Sequence, residues 1–197
     1  MYGNSLNPGK THVVGKKTTE LNRYFTEGKL VFVSLIPARK YPEFMDSITK
    51  FASGKWKKIC MVSLTKPCST LVESFKRAGI DPKKFFIVDA ISQTAGGAEK
   101  ADNVAFVSSP AAVTELGIKI GETLKKDRPE FLIFDSISVM LIYVQEQEVL
   151  KFIHTLVSRF RASGIRSLFT VLLEDTETRV VRNICMFADA IIDLGEG

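Results

Sequence analysis

Short continuous apolar runs alternate along this chain with longer stretches in which apolar residues recur every three or four positions. The first kind reads as buried parallel strands and the second as amphipathic helices. Strands are predicted over Leu30 to Ser34, Lys58 to Leu64, Phe85 to Ala90, Val104 to Val107, Phe131 to Phe134 and Ser167 to Leu172, with a last one closing the chain after Phe187. Between them the period changes. Pro42 to Ala52 carries Phe44, Ile48 and Phe51 on one face, with Gly54 as a stop signal. A second helical stretch covers Ser69 to Ala78, and a third begins at Pro110, with Ser109 as its cap, and ends near Lys126. The stripe Val149, Leu150, Phe152, Ile153, Leu156, Val157 and Phe160 marks a helix over Gln145 to Ser163, ended by Gly164, and Asp175 is placed to cap a helix running to Phe187. Ser92 to Asn103, small and polar around Gly96-Gly97, is the expected mobile loop. Parallel neighbours need crossover helices, so the pattern predicts an α/β fold, a three-layer α/β/α sandwich with a mostly parallel sheet.

Ligands of such sheets bind at the carboxyl ends of the strands, which directs attention to the residues just after each run. After the first strand comes Ser34-Leu35-Ile36-Pro37-Ala38-Arg39-Lys40-Tyr41. Its place and length are those of a phosphate-binding loop, G-x-x-x-x-G-K-[ST], in which glycines let backbone N–H groups curl around a phosphate, lysine reaches the β/γ-phosphates and a hydroxyl holds Mg²⁺. Here only Lys40 matches. Ser34 and Arg39 stand at the glycine positions, Tyr41 replaces the Ser/Thr, and Pro37 removes an N–H donor. Glu43 puts a carboxylate in the first turn of the following helix, where a phosphate would otherwise meet the dipole.

The order of the remaining segments resembles the ATPase core of RecA/KaiC-type proteins, particularly archaeal KaiC-like proteins. The matching segments are Val62-Ser63-Leu64-Thr65-Lys66, Ala78-Gly79-Ile80-Asp81, Ile87-Val88-Asp89-Ala90-Ile91-Ser92, Phe134-Asp135-Ser136 and Phe187-Ala188-Asp189-Ala190-Ile191-Ile192-Asp193-Leu194. The resemblance spans roughly residues 18 to 197 and implies a RecA-like P-loop NTPase fold with a nucleotide site built from Ser34, Arg39, Lys40, Asp135 and Ser136. In that family Asp135 would help hold Mg²⁺ through water; read without the family, it is a polar strand end that caps a neighbouring turn. The family also places paired glutamates after the second strand to polarise the attacking water. Thr65 and Lys66 stand there instead, and neither accepts a proton from water at neutral pH. Cradle and base are both altered, so the resemblance implies a pseudo-ATPase with a vestigial site, no catalytic residue and no cofactor. The alternative is a nucleotide-binding protein or slow ATPase that binds ATP through Arg39 and Lys40.

Composition narrows the partners. The chain has 197 residues, 45% of them hydrophobic and 25% charged, which suits one globular core. Residues 1–17, with Lys10, Lys16 and Lys17 and no acid, read as a flexible basic segment ahead of a single domain over 18–197. No apolar run approaches a membrane span, and Met1 to Lys17 lacks a signal-peptide core, so a cytoplasmic protein is expected. The net charge of +5 and the cluster Lys55-Trp56-Lys57-Lys58 raise nucleic acid as a partner, but no paired aromatic platform accompanies them, and Trp56 reads better as packing a helix-to-strand turn. Cys60, Cys68 and Cys185 have no metal-ligand spacing and read as buried thiols, with no metal site expected, and His154 reads as an edge-of-core histidine. The leading expectation is a regulatory or scaffold protein working through a protein partner or homo-oligomer. The apolar run Ile137 to Tyr143, with Met140 and Tyr143, reads either as core beneath a helix or as the candidate interface.

Overall fold

The computed structural model describes residues 12–13, 21–22, 24–25, 28–94, 96–97 and 101–195. Eight strands form one sheet: β1 (His12–Val13), β2 (Val31–Ile36), β3 (Ile59–Ser63), β4 (Phe85–Asp89), β5 (Val104–Phe106), β6 (Phe131–Asp135), β7 (Arg166–Leu172) and β8 (Ala190–Asp193). Their order across the sheet is β1-β8-β2-β7-β6-β3-β4-β5, and every pairing is parallel. The fold is α/β, with helices on both faces. On one side lie α1 (Tyr41–Lys55) and α2 (Cys68–Arg77), and on the other α3 (Val113–Asp127), α4 (Ile137–Tyr143), α5 (Glu146–Ser163) and α6 (Arg179–Phe187).

Each central strand feeds both cores because its side chains alternate. Val31, Val33 and Leu35 of β2 face the α3–α6 side, while Phe32 and Ile36 face α1 and α2. The second core is largely aromatic. Trp56 lies flat on Phe131, with centroids 4.1 Å apart, and meets Phe25 and Phe51 edge-on. Its ring is therefore buried and not available to a base. Lys57 and Lys58, beside it, donate their backbone N–H groups to Glu130.

Two carboxylates hold strand ends in place. At the amino end of the sheet, Asp189 accepts the N–H groups of Leu30 and Val31, each at 2.9 Å, and the guanidinium of Arg161 at 2.7 Å. At the carboxyl end, Asp89 accepts the N–H groups of Cys68 (2.6 Å), Ile91 (2.8 Å) and Ser92 (2.9 Å) and the hydroxyl of Ser92 (2.6 Å). Burial disfavours its charge, but these donors outweigh burial and its pKa is lowered.

Several local expectations are corrected. Strand β2 continues past Ser34 to Ile36 because it pairs with β7 as far as Leu172 and with β8 as far as Asp193. Helix α1 passes through Gly54 and ends at Lys55. Ser109-Pro110 forms a turn instead of the start of α3: the Ser109 hydroxyl accepts from Ala111 N and its carbonyl from Ala112 N, and the helix begins at Val113. Thr178, not Asp175, caps α6, its hydroxyl accepting from Val181 N, while Asp175 lies in a short 3₁₀ turn. Gly164 does end α5, in the left-handed conformation with φ +67°. His12 and Val13, within the segment expected to be flexible, extend the sheet beside Ile191 and Ile192; the boundary expected at residue 18 lies outside the described residues, as do residues 95 and 98–100 of the loop expected to be mobile. Cys60 and Cys185 are buried and Cys68 is half-buried. His154 is exposed and not at the core edge, its ring against Phe187 with centroids 5.2 Å apart. None of the described helices is long and apolar enough to cross a membrane.

Truncating Trp56 to alanine removes a ring from both stacked and edge contacts and is expected to cost about 3–5 kcal/mol. Lys57→Ala, on the exposed side of the same turn, should change stability by less than about 0.5 kcal/mol. Urea denaturation of the two variants checks the contrast.

Candidate functional site

The carboxyl ends of β2, β3, β6, β7 and β8 meet at one rim of the sheet, the position where this architecture binds ligands. Strand β7 lies between β2 and β6, so the loop after β2 faces Asp135 across one strand.

That loop is short. Pro37 is extended (φ −57°, ψ 136°), Ala38–Lys40 make one turn of 3₁₀ helix closed by Lys40 N–H to the Pro37 carbonyl at 2.8 Å, and α1 begins at once with Tyr41. The Ala38 N–H donates to the carboxylate of Glu174 at 3.1 Å, and this bond holds the Glu174 pKa below its usual value. The ammonium of Lys40 donates to the carbonyl of Leu194 at 2.9 Å. Arg39 is exposed and has no hydrogen bond or ion pair among the described residues.

Asp135 ends β6 and is buried. Three hydroxyls surround its carboxyl. Tyr41 donates to Oδ1, Thr65 donates to Oδ2 at 2.5 Å, and the Thr170 hydroxyl lies 3.2 Å from Oδ1 and 3.0 Å from the Tyr41 oxygen. Burial pushes the Asp135 pKa up to about 7, against a smaller downward pull from Thr170. The adjoining cavity, bordered by Asp135, Lys66, Met45 and Thr49, measures about 20 Å³. That is room for one water. The peptide bond from Asp135 to Ser136 is cis, and Ser136 caps α4 by accepting from Val139 N at 3.2 Å.

Of the residues expected at the site, Arg39, Lys40, Asp135 and Ser136 lie at this rim. Ser34 does not: it is fully buried inside β2, its hydroxyl 3.4 Å from the Phe169 carbonyl. Four participants carried weak or no signal. Thr170 is a polar residue within the apolar run Leu168 to Leu172, which marks it in the sequence. Glu174 and the Leu194 carbonyl bond to groups more than a hundred residues away and leave no local trace. Tyr41 was legible only as a missing Ser/Thr. No group of three or more His, Cys, Asp or Glu side chains among the described residues is arranged to hold a metal ion.

Residues 58–194, which include the ends of β3, β6, β7 and β8, match the model of a family of unknown function, DUF7504. The chain belongs to this family. No curated protein matches its sequence. Among solved structures, it is similar to the KaiC-like protein PH0186 of the hyperthermophilic archaeon Pyrococcus horikoshii, with a TM-score of 0.61 and 16% identity over 86% of this chain and 72% of the other. It is equally similar to the uncharacterized protein PH0321 of the same organism, a structure in complex with an unknown peptide, again with a TM-score of 0.61 and 16% identity, over 91% of this chain and 84% of the other. This DUF7504 member therefore has a RecA/KaiC-like fold; at that identity the likeness speaks for the fold alone.

The Asp135 carboxyl gives the rim a pH signature. Its pKa is raised from 3.8 to about 7, so between those values the folded protein holds a proton that the unfolded chain has released. The stabilisation is complete below pH 4 and is lost as pH rises through 7. Asp89 and Asp189 are shifted downward, so their contributions change on the acid side of that window. Denaturation midpoints are expected to fall as pH rises from about 4 to 7, through at most about 4 kcal/mol from this group, and to level off above 7. In Asp135→Asn the slope should vanish.

Proposed function

We propose that this chain is a non-catalytic RecA/KaiC-like domain with a vestigial nucleotide site, a regulatory or scaffold protein that acts through protein contacts. One observation carries the reading: groups that would meet a nucleotide at this rim are engaged within the chain. Glu174 supplies an anion to the Ala38 amide, Leu194 takes the Lys40 ammonium, and Tyr41 and Thr65 fill both oxygens of Asp135. A metal held through Asp135 would have to displace these hydroxyls, and a phosphate at the loop would have to displace a carboxylate. Thr65 hydrogen-bonds Asp135 where a base would be needed, and a hydroxyl is no base at neutral pH.

Contact surface is available just beyond the site. Met140, expected at an interface, is fully buried in the core, because α4 turns it toward β7 and α5. Its neighbours differ: Ile142 is 75% exposed and Tyr143 54% exposed. Two large exposed side chains at one helix end suit a partner or a second copy of the chain.

ATP with Mg²⁺ is expected to show no turnover above the uncatalysed background. A clear rate that disappears in Lys40→Ala would overturn the proposal. For the contact surface, Tyr143→Glu should dissociate the self-associated or partner-bound form in sedimentation while altering stability by less than about 0.5 kcal/mol.

A further inference from the structure

Helices α3 and α5 lie side by side on one face of the sheet. Gly117 of α3 meets Phe152 of α5; a Cβ on that glycine would stand 3.3 Å from the ring. On their solvent side runs a groove of about 840 Å³, its apolar lining supplied by Val113, Ile118, Leu124 and Phe152. Ile118 is 54% exposed although it is aliphatic. Along α5 the lining residues Glu148, Phe152, Thr155, Arg159 and Ser163 recur at helical spacing, giving the trough a length of roughly 22 Å at 1.5 Å per residue. A trough of that length between two helix ridges fits a third helix better than an extended segment.

The charges around it are unbalanced. Lys125, Lys151 and Arg159 line the groove and none has an ion-pair partner among the described residues. Arg159 makes one long hydrogen bond, 3.5 Å to the Gly117 carbonyl. On the acidic side, Glu122 is already paired with Lys119 at 3.1 Å, which leaves Glu148. Three unpaired cations thus face one unpaired carboxylate across an apolar floor. We infer that this groove docks an acidic amphipathic helix of a protein partner, its apolar side chains against Ile118, Leu124 and Phe152 and its carboxylates beside Lys125, Lys151 and Arg159. The inference rests on the proposal that the protein acts through protein contacts, and it names a surface whose lining does not include Tyr143.

The test uses the whole chain and fluorescence anisotropy with three labelled probes: a helical peptide with leucines on one face and glutamates on the flanks, the same peptide with lysines for the glutamates, and an oligo-dT strand. The glutamate peptide is expected to bind saturably, more weakly as salt is raised. Its dissociation constant should rise at least about tenfold in Ile118→Glu and in Lys151→Glu, both exposed positions where the fold survives substitution. Tyr143→Glu and Lys40→Ala should leave it unchanged. No saturable binding of the glutamate peptide, equal binding of the lysine peptide, indifference to Ile118→Glu, or competition by oligo-dT would each overturn the inference. ATP turnover lost in Lys40→Ala would instead sink the proposal beneath it, so the two failures are distinguishable.

Discussion

A single buried carboxyl group organises the carboxyl-end rim of this protein's sheet. Asp135 stands buried at the end of a central strand with no ion-pair partner among the described residues, so its oxygens are met by hydroxyls of the chain itself. These come from three different elements: Tyr41 at the start of α1, Thr65 just after β3, and Thr170 in β7. That requirement draws the first turn of α1 down onto the sheet. It also goes with a tight connection from β2, because a phenol reaches Asp135 only if little chain intervenes. The 3₁₀ turn, the Glu174 contact and the Lys40 tether all belong to the same compact arrangement.

The comparison between Asp135 and Asp89 shows what sets the charge of a strand-end carboxyl here. Both end parallel strands and both are buried. Asp89 receives three backbone N–H groups as well as a hydroxyl, donors that are fixed in place and favour the anion, and its pKa is lowered. For Asp135 burial, which disfavours the charge, dominates: its carboxyl receives only hydroxyls, whose downward pull is smaller, and its pKa rises to about 7. One carboxylate therefore serves as a permanent backbone clamp, and the other changes its protonation near neutrality.

Much of the architecture was legible because period and run length report burial directly. Strands of unbroken Val, Ile, Leu and Phe belong to a parallel sheet covered on both faces, and the stripes at helical spacing name the faces that cover it. What escaped were choices between local signals of similar strength. Both Asp175 and Thr178 can cap a helix, and the geometry of the turn after β7 selected Thr178. Ser109-Pro110 carries a good helix start, yet Ser108 donates both its N–H and its hydroxyl to Glu115, and the helix begins later. In the run Ile137 to Tyr143, apolar character alone could not separate Met140, which is buried, from Ile142, which is exposed, since both are apolar residues on one short helix.

The sequence by itself determined the kind of sheet, the identity of most elements, and the residue types around the loop after β2: Ser34, Pro37, Arg39 and Tyr41, none of them the glycine or small hydroxyl of a phosphate-binding pattern. Those follow from residue type and spacing, which are local. Only the tertiary structure decided which partners these residues and their neighbours meet. Leu35 and Ile36 were carried into β2 by strand pairing, which leaves Ser34 inside the strand, and Glu174 and Leu194 were brought to Ala38 and Lys40 from more than a hundred residues away. Such bonds depend on which strands lie next to one another, and in a sheet ordered β8-β2-β7-β6 the neighbours of a loop are set by crossovers and not by proximity along the chain.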